Sequence, residues 1–229
     1  MRIISDLLAL FYPRVCLGCG QSLYRSEEII CLSCLHHLPK THFEKQVDNP
    51  VSRIFWGRIH FEAATSGFFF RKGNLVQKLI HHLKYKGETQ AGVFLGKQLG
   101  ILIRDVVGFR EARMILPVPL HPRKLRKRGY NQSDYIAEGL SISMGIPVRT
   151  DILTRKAFTD SQTKKSRYNR WINVEGQFHV RKSDEITYQH IILIDDVLTT
   201  GATLEASAQA LLQAGALAVS VATIACAMR

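Results

Sequence analysis

Two stretches of this 229-residue chain carry residue types whose spacing can do chemistry. The first is Ile191-Ile192-Leu193-Ile194-Asp195-Asp196-Val197-Leu198-Thr199-Thr200-Gly201-Ala202-Thr203. The run Ile191 to Ile194 has no polar break and predicts a strand buried on both faces of a parallel sheet. From Ala202 the period changes. Leu204, Ala208, Leu211 and Leu212 share a helical face, and Gly215 stands where a C-terminal cap belongs. The Thr/Gly turn then lies between a strand's C-terminal end and a helix N-terminus, where open α/β sheets bind ligands. N–H groups of the first helical turn suit an anion, small residues let a phosphate approach, and Thr199, Thr200 and Thr203 add hydroxyl donors. Asp195 and Asp196 would repel that phosphate unless something lies between. A ribose diol would serve, and so would Mg²⁺ held by one or two carboxylates plus substrate oxygens. The ligand implied is a sugar phosphate with free hydroxyls, bound with a metal; the plainer alternative is acids that merely cap the sheet edge. Neither the nucleotide P-loop pattern nor the dinucleotide glycine fingerprint is present at this turn.

The second stretch is Cys16-Leu17-Gly18-Cys19 and Cys31-Leu32-Ser33-Cys34, four of the five cysteines in two C-x-x-C pairs. Each pair can offer two thiolates to one tetrahedral ion, so Cys16, Cys19, Cys31 and Cys34 predict a structural Zn²⁺ site of zinc-ribbon type. A region of roughly forty residues rarely stabilises its own core, whereas structural zinc supplies on the order of 10–16 kcal/mol in finger peptides. Two disulfides or free thiols are the rival reading. His36 and His37 are surface residues on this view, and Cys226 is a small core residue.

The remaining pattern alternates strand and helix signals. Phe61 to Phe70 and Met114 to Val118 read as strands, and Leu217 to Ile224 as the last strand. Leu75, Val76, Leu79, Ile80 and Leu83 recur at helical spacing. A second helix carries Val93 to Leu102, and a third runs from Ser133 to Met144. This predicts an α/β fold: a mostly parallel twisted sheet flanked by helices, preceded by a small N-terminal Cys₄ unit. The domains expected are residues 1–45, a short amphipathic helix and the zinc unit, and residues 46–229, the α/β domain. Pro39 to Pro50 reads as a linker or peripheral loop.

Two basic segments accompany the acid pair. After the strand at Met114, Pro117-Val118-Pro119-Leu120-His121-Pro122 leads into five cations from Arg123 to Arg128 without an acid. Such a cluster is often bound to an anion, or else solvated as a helix start or a nucleic-acid patch. Residues 154–173 hold Arg155, Lys156, Lys164, Lys165, Arg167 and Arg170 against one acid, Asp160. A polar stretch of this length is often a lid whose cations neutralise a departing group, the bland alternative being a solvated loop. The formal charge of +12 likewise favours anionic partners, phosphorylated small molecules or nucleic acid. No apolar run is long enough to span a membrane, and the start of the chain lacks a cleavage pattern, so a cytoplasmic protein is expected.

The acid–Thr/Gly stretch resembles the phosphoribosyl pyrophosphate (PRPP) signature of type I phosphoribosyltransferases. That resemblance implies Asp195 and Asp196 on the ribose hydroxyls, and Thr199, Thr200, Gly201, Ala202 and Thr203 on the 5′-phosphate. It implies a pyrophosphate loop at Val118, Pro119, Leu120, His121 and Pro122, and a flexible loop bearing the cations of residues 155–170. The order of motifs narrows it further. The cysteine quartet precedes Lys84-Tyr85-Lys86-Gly87, then Pro117 to Pro122, Arg128-Gly129-Tyr130-Asn131-Gln132, Ser161-Gln162, Asn173 to Phe178 and the acid pair. Over nearly the whole chain this is similar to the ComF family. The family implies PRPP and Mg²⁺ and, in some members, DNA uptake beside a helicase partner. Two functions follow: phosphoribosyl transfer to an unnamed acceptor with release of pyrophosphate, or a non-catalytic competence factor or PRPP sensor that binds single-stranded DNA or a helicase. A phosphate-accepting receiver domain is rejected, because the acids lie near the C-terminus and lead into a Thr/Gly phosphate turn.

Overall fold

Four strands make the central sheet in the computed structural model, which describes residues 13–156 and 177–227. In chain order these strands are β1 (Ala64–Phe69), β2 (Met114–Pro117), β5 (His190–Leu198) and β6 (Ala218–Cys226). They lie in the order β1-β6-β5-β2, and every pairing is parallel. A separate antiparallel pair, β3 (Leu153–Arg155) and β4 (Phe178–Val180), stands apart from the sheet. The helices are α1 (Leu32–His36), α2 (Pro50–Arg53), α3 (Leu75–Tyr85), α4 (Thr89–Ile103), α5 (Pro122–Arg128), α6 (Gln132–Met144), α7 (Ser183–Ile186) and α8 (Ala202–Gln213).

Both faces of the sheet are covered, as a parallel sheet requires. Val76, Leu79, Leu83, Leu95, Leu99, Ile136 and Leu140 from α3, α4 and α6 pack with Ile192 and Ile194. Leu204, Ala208 and Leu211 of α8 pack with Val51, Phe55, Ile191 and Leu193. The unbroken apolar run of β5 follows from this: Ile191 to Ile194 are all fully buried. α4 and α6 touch backbone to backbone. A Cβ at Gly96 would collide with the Ile136 carbonyl, and one at Gly139 with the Val93 carbonyl. Glycine is needed at both positions, and the close fit sets where the N-terminus of α6 arrives beside β5.

Among the described residues, the core of the cysteine unit is continuous with that of the sheet domain. Cys16, Ile30, Cys31 and Leu38 belong to the same buried cluster as Val76 and Leu79 of α3. The Pro39 to Pro50 stretch, which reads as linker, covers the outer edge of β1. Thr41 N–H donates to the Gly67 carbonyl (3.0 Å), and Lys40 bridges Phe68. Asn49 caps α2 and donates its Nδ2 to the Ala64 carbonyl (2.9 Å). An open strand edge is a pairing hazard, and this strap closes it. The expected N-terminal amphipathic helix lies outside the described residues.

Candidate functional site

β5 runs four residues further than its apolar core, so Asp195 and Asp196 lie within the strand and the turn begins after Leu198. Asp195 Oδ1 accepts the Ser133 hydroxyl (3.0 Å) and the Asp196 backbone N–H (2.8 Å). Burial, with the Asp196 charge beside it, pushes the Asp195 carboxyl up to about 7. Asp196 is 6% exposed, and Lys84 Nζ at the end of α3 lies 2.8 Å from its Oδ2. The pair is an electrostatic contact, since that oxygen accepts no hydrogen bond from the described residues. With Lys84 as its cationic partner among the described residues, the Asp196 carboxylate keeps capacity for further donors.

The turn follows with Thr199 and Thr200 exposed and Gly201 at φ 78 as the N-cap of α8. No side chain among the described residues caps this helix, and its start adjoins a concavity lined by Asp195, Thr199, Thr200, Gly201, Ala202 and Thr203. A Cβ at Gly201 would sit 2.6 Å from Phe55 Cε1, so both conformation and space demand glycine there.

β2 ends beside β5, and its exit loop reaches the same edge. Val118 N–H donates to the Ile194 carbonyl (2.9 Å), while the Val118 carbonyl accepts Asn131 Nδ2 (3.1 Å). Asn131 also caps α6, the helix that brings Ser133 to Asp195. One side chain thereby fixes the loop at Val118 to the helix that positions Ser133. Pro119, Leu120, His121 and Pro122 are half-buried. His121 caps α5 by accepting Arg123 N–H (3.2 Å). Burial, with Arg155, Arg123, Lys124 and Arg126 near it, holds its imidazole below the usual value. α5 presents Arg123, Lys124, Arg126 and Lys127 to solvent.

Of the six loop cations, Arg155 and Lys156 are described; Lys164, Lys165, Arg167 and Arg170 lie outside the described residues. Arg155 is half-buried on β3. Its guanidinium lies over Phe178 (5.2 Å) and donates to Gln177 Oε1 (3.1 Å), and its Nε has no partner among the described residues. Burial lowers its pKa against the opposing pull of Asp195. Lys156 is exposed.

The structure therefore gathers Asp195, Asp196, the 199–203 turn, the 118–121 loop and Arg155 at one edge of the sheet. Sequence reasoning gave no role to Lys84, Ser133 or Asn131. The signal for Lys84 was the adjacent acids, which call for a counter-charge, but nothing local says which of the chain's cations supplies it.

The four cysteine sulfurs all lie within 4.8 Å of one another, with Cys19 and Cys31 Sγ 3.7 Å apart. A tetrahedral Zn–thiolate site has an S···S edge of about 3.8 Å, so the quartet can hold a metal such as zinc. Backbone N–H groups of Cys31 (3.3 Å) and Gly18 (3.4 Å) point at Cys16 Sγ. Burial opposes the thiolate there, but these and the Cys19 N–H outweigh it and bring Cys16 to about 6. Burial and three neighbouring sulfurs push the Cys34 thiol up. Glu27, 5% exposed, accepts the Tyr24 (2.8 Å) and Leu32 (2.7 Å) N–H groups and closes the loop between the pairs. Among the described residues no other group of three metal-ligating side chains occurs. A cation beside Asp195 and Asp196 would thus depend on ligand oxygens, the usual arrangement for Mg²⁺.

Residues 131–228 match the phosphoribosyl transferase domain family. With the parallel sheet and the acid-bearing β5 edge, this is a type I phosphoribosyltransferase fold. Over 222 residues it is 29% identical to DNA utilization protein YhgH of Escherichia coli, covering 93% of this chain and 91% of that protein. It is 32% identical over 130 residues to competence protein F of Haemophilus influenzae, covering 55% of this chain and 57% of that one. Among solved structures, glutamine PRPP amidotransferase from B. subtilis aligns with a TM-score of 0.43 at 21% identity, covering 59% of this chain and 26% of that one. Relatives named competence protein F and DNA utilization protein YhgH, together with the phosphoribosyl transferase domain at residues 131–228, support the ComF family within the type I phosphoribosyltransferase superfamily.

Proposed function

We propose that this protein binds PRPP at the C-terminal edge of β5 and can transfer its phosphoribosyl group to an acceptor with release of pyrophosphate. The supporting observation is the acid pair, held by Lys84 and Ser133, beside the uncapped helix start at Gly201. In this reading Asp195 and Asp196 accept hydrogen bonds from the ribose diol. Thr199, Thr200 and Thr203, with the N–H groups from Gly201 to Thr203, hold the 5′-phosphate. The loop from Val118 to Pro122 and the Arg155 guanidinium face the pyrophosphate end. Departure of pyrophosphate leaves positive charge at ribose C1, so the protein's contribution is positioning and fixed charge. Mg²⁺, when bound with the ligand, neutralises charge on the pyrophosphate oxygens. Zn²⁺ on the four cysteines is structural. PRPP with Mg²⁺ is expected to raise the melting temperature in a concentration-dependent way, as any ligand of the native state does. No shift in the zinc-loaded protein would argue against binding. Pyrophosphate release across a panel of nucleobases, with Asp195→Asn/Asp196→Asn as control, tests transfer separately.

A second reading keeps the fold without turnover: a factor in DNA utilization that contacts single-stranded DNA or a helicase. The exposed cations of α5 and the name of the Escherichia coli relative favour it. Single-stranded DNA binding that weakens steeply with salt is the expected sign. Binding that is absent or indifferent to salt would count against it.

A further inference from the structure

Away from the acid edge, a cavity of about 370 Å³ opens at the N-terminal end of β1, within the size range of small-molecule sites. Phe55, Phe61 and Phe109 contribute aromatic walls, and Trp56, 61% exposed, stands among the lining residues. Three further lining residues are polar and buried: Glu44 is 8% exposed, Asn49 2% and Thr65 1%. Glu44 Oε2 and Thr65 Oγ1 have no hydrogen-bond partner among the described residues. The other carboxylate oxygen, Oε1, lies 3.6 Å from His42 Nδ1. A buried carboxylate oxygen and a buried hydroxyl without partners are costly, so the lining has polar capacity left to satisfy. Glu44 and Glu62 against Lys45 leave the lining with a formal net negative charge, in a chain whose total is +12. Anionic ligands drawn to the basic surface are therefore disfavoured here.

One lining residue, Phe55, reaches the phosphate turn. The Phe55 ring meets Phe61 edge to face (centroids 4.8 Å), and its Cε1 occupies the space a Gly201 side chain would need. Three residues on, Arg58 pairs with Glu205 in the first turn of α8.

We propose that this cavity is a second ligand site, which takes a small aromatic cation, a flat ring bearing an amidine or ammonium group, and whose occupancy is felt at the turn through Phe55. The ring lies among the phenylalanines and its N–H groups donate to Glu44, a charge-assisted pairing. The coupling, though not the site, rests on the PRPP reading of the turn.

Benzamidine titrated calorimetrically into the metal-loaded full chain tests the site. Saturable one-to-one binding is expected, weakened at least about tenfold in Glu44→Gln, with no binding of benzoate. Thr65→Val, which preserves shape, is expected to weaken it about threefold, and serves if Glu44→Gln does not fold. Asp195→Asn/Asp196→Asn should bind benzamidine like the parent, which separates this site from the PRPP reading. No saturable binding, or equal affinity in wild type, Glu44→Gln and Thr65→Val, overturns the site. Saturating benzamidine is further expected to change PRPP affinity by about threefold or more, with the reciprocal change in benzamidine affinity. Unchanged affinities with both ligands bound overturn the coupling.

Discussion

The cysteine unit draws its sulfurs from one short segment, Cys16 to Cys34, whereas the acid site draws Lys84, Ser133, Arg155 and Asp195 from four separate elements. In the first, backbone turns alone bring the ligating atoms together, and a bound ion would supply most of the energy. In the second, the sheet and its helices must already be packed before any two groups meet. The cysteine cluster is thus a local site docked on a shared core, and the acid edge is a product of the whole fold. The two should fail differently when perturbed.

Metal removal should have the largest effect. Because Cys16 and Cys31 share a buried cluster with α3, losing the ion should unsettle the sheet domain as well as the cysteine loop. Chelation, or Cys31→Ser, is expected to lower the melting temperature by on the order of 10 °C or more. An unchanged melting temperature in verified metal-free protein would show that the quartet is not a structural metal site.

At the acid edge, Lys84→Met leaves Asp196 buried without its cation and is expected to cost about 3 kcal/mol in urea denaturation. Adding Asp196→Asn should recover much of that loss. If the double variant is no better than Lys84→Met, the two groups are not coupled. Gly201→Ala comes next, at about 1–3 kcal/mol, from positive φ and the Phe55 ring together. Its urea midpoint should fall without a change in slope.

Proton linkage gives a smaller effect with a definite sign. Asp195 is raised from the ordinary 3.8 to about 7, so the native state holds a proton there that the unfolded chain has lost. Its contribution to stability is full below pH 4 and is lost as pH rises towards 7. Asp195→Asn should flatten stability against pH across that window; an identical slope in wild type and variant contradicts the assignment. Smallest of all, Lys124→Gln/Lys127→Gln on the exposed face of α5 should leave stability within about 0.5 kcal/mol while reducing any salt-dependent DNA binding.

How far the chain could be read from sequence follows the same division. The apolar run of β5, the period of α3 and the C-x-x-C spacing are local signals, and each appears in the structure where its pattern puts it. The turn after Asp195-Asp196 was legible because acids, hydroxyls and glycine fall within nine residues. What was not legible is long-range. Nothing near Lys84 or Ser133 marks them as partners of the acids, because α3 and α6 reach β5 only through packing such as the Gly96 and Gly139 contacts. The strap from Pro39 to Pro50 reads as a linker or peripheral loop because its work is done by backbone groups, the Thr41 hydroxyl and one asparagine. Glu44 gave no signal, since a lone acid in a polar stretch reads as solvated until burial is known.

The central claim is that the acid pair and the Gly201 turn together hold PRPP. Calorimetric titration of PRPP with Mg²⁺ into zinc-loaded protein, wild type beside Asp195→Asn/Asp196→Asn, tests it most directly. Saturable one-to-one binding by wild type is expected, weakened at least about tenfold in the variant, since each lost charge-assisted hydrogen bond is worth about 1.5–3 kcal/mol. Absence of binding by the folded wild type, or equal affinity in the two proteins, would contradict it.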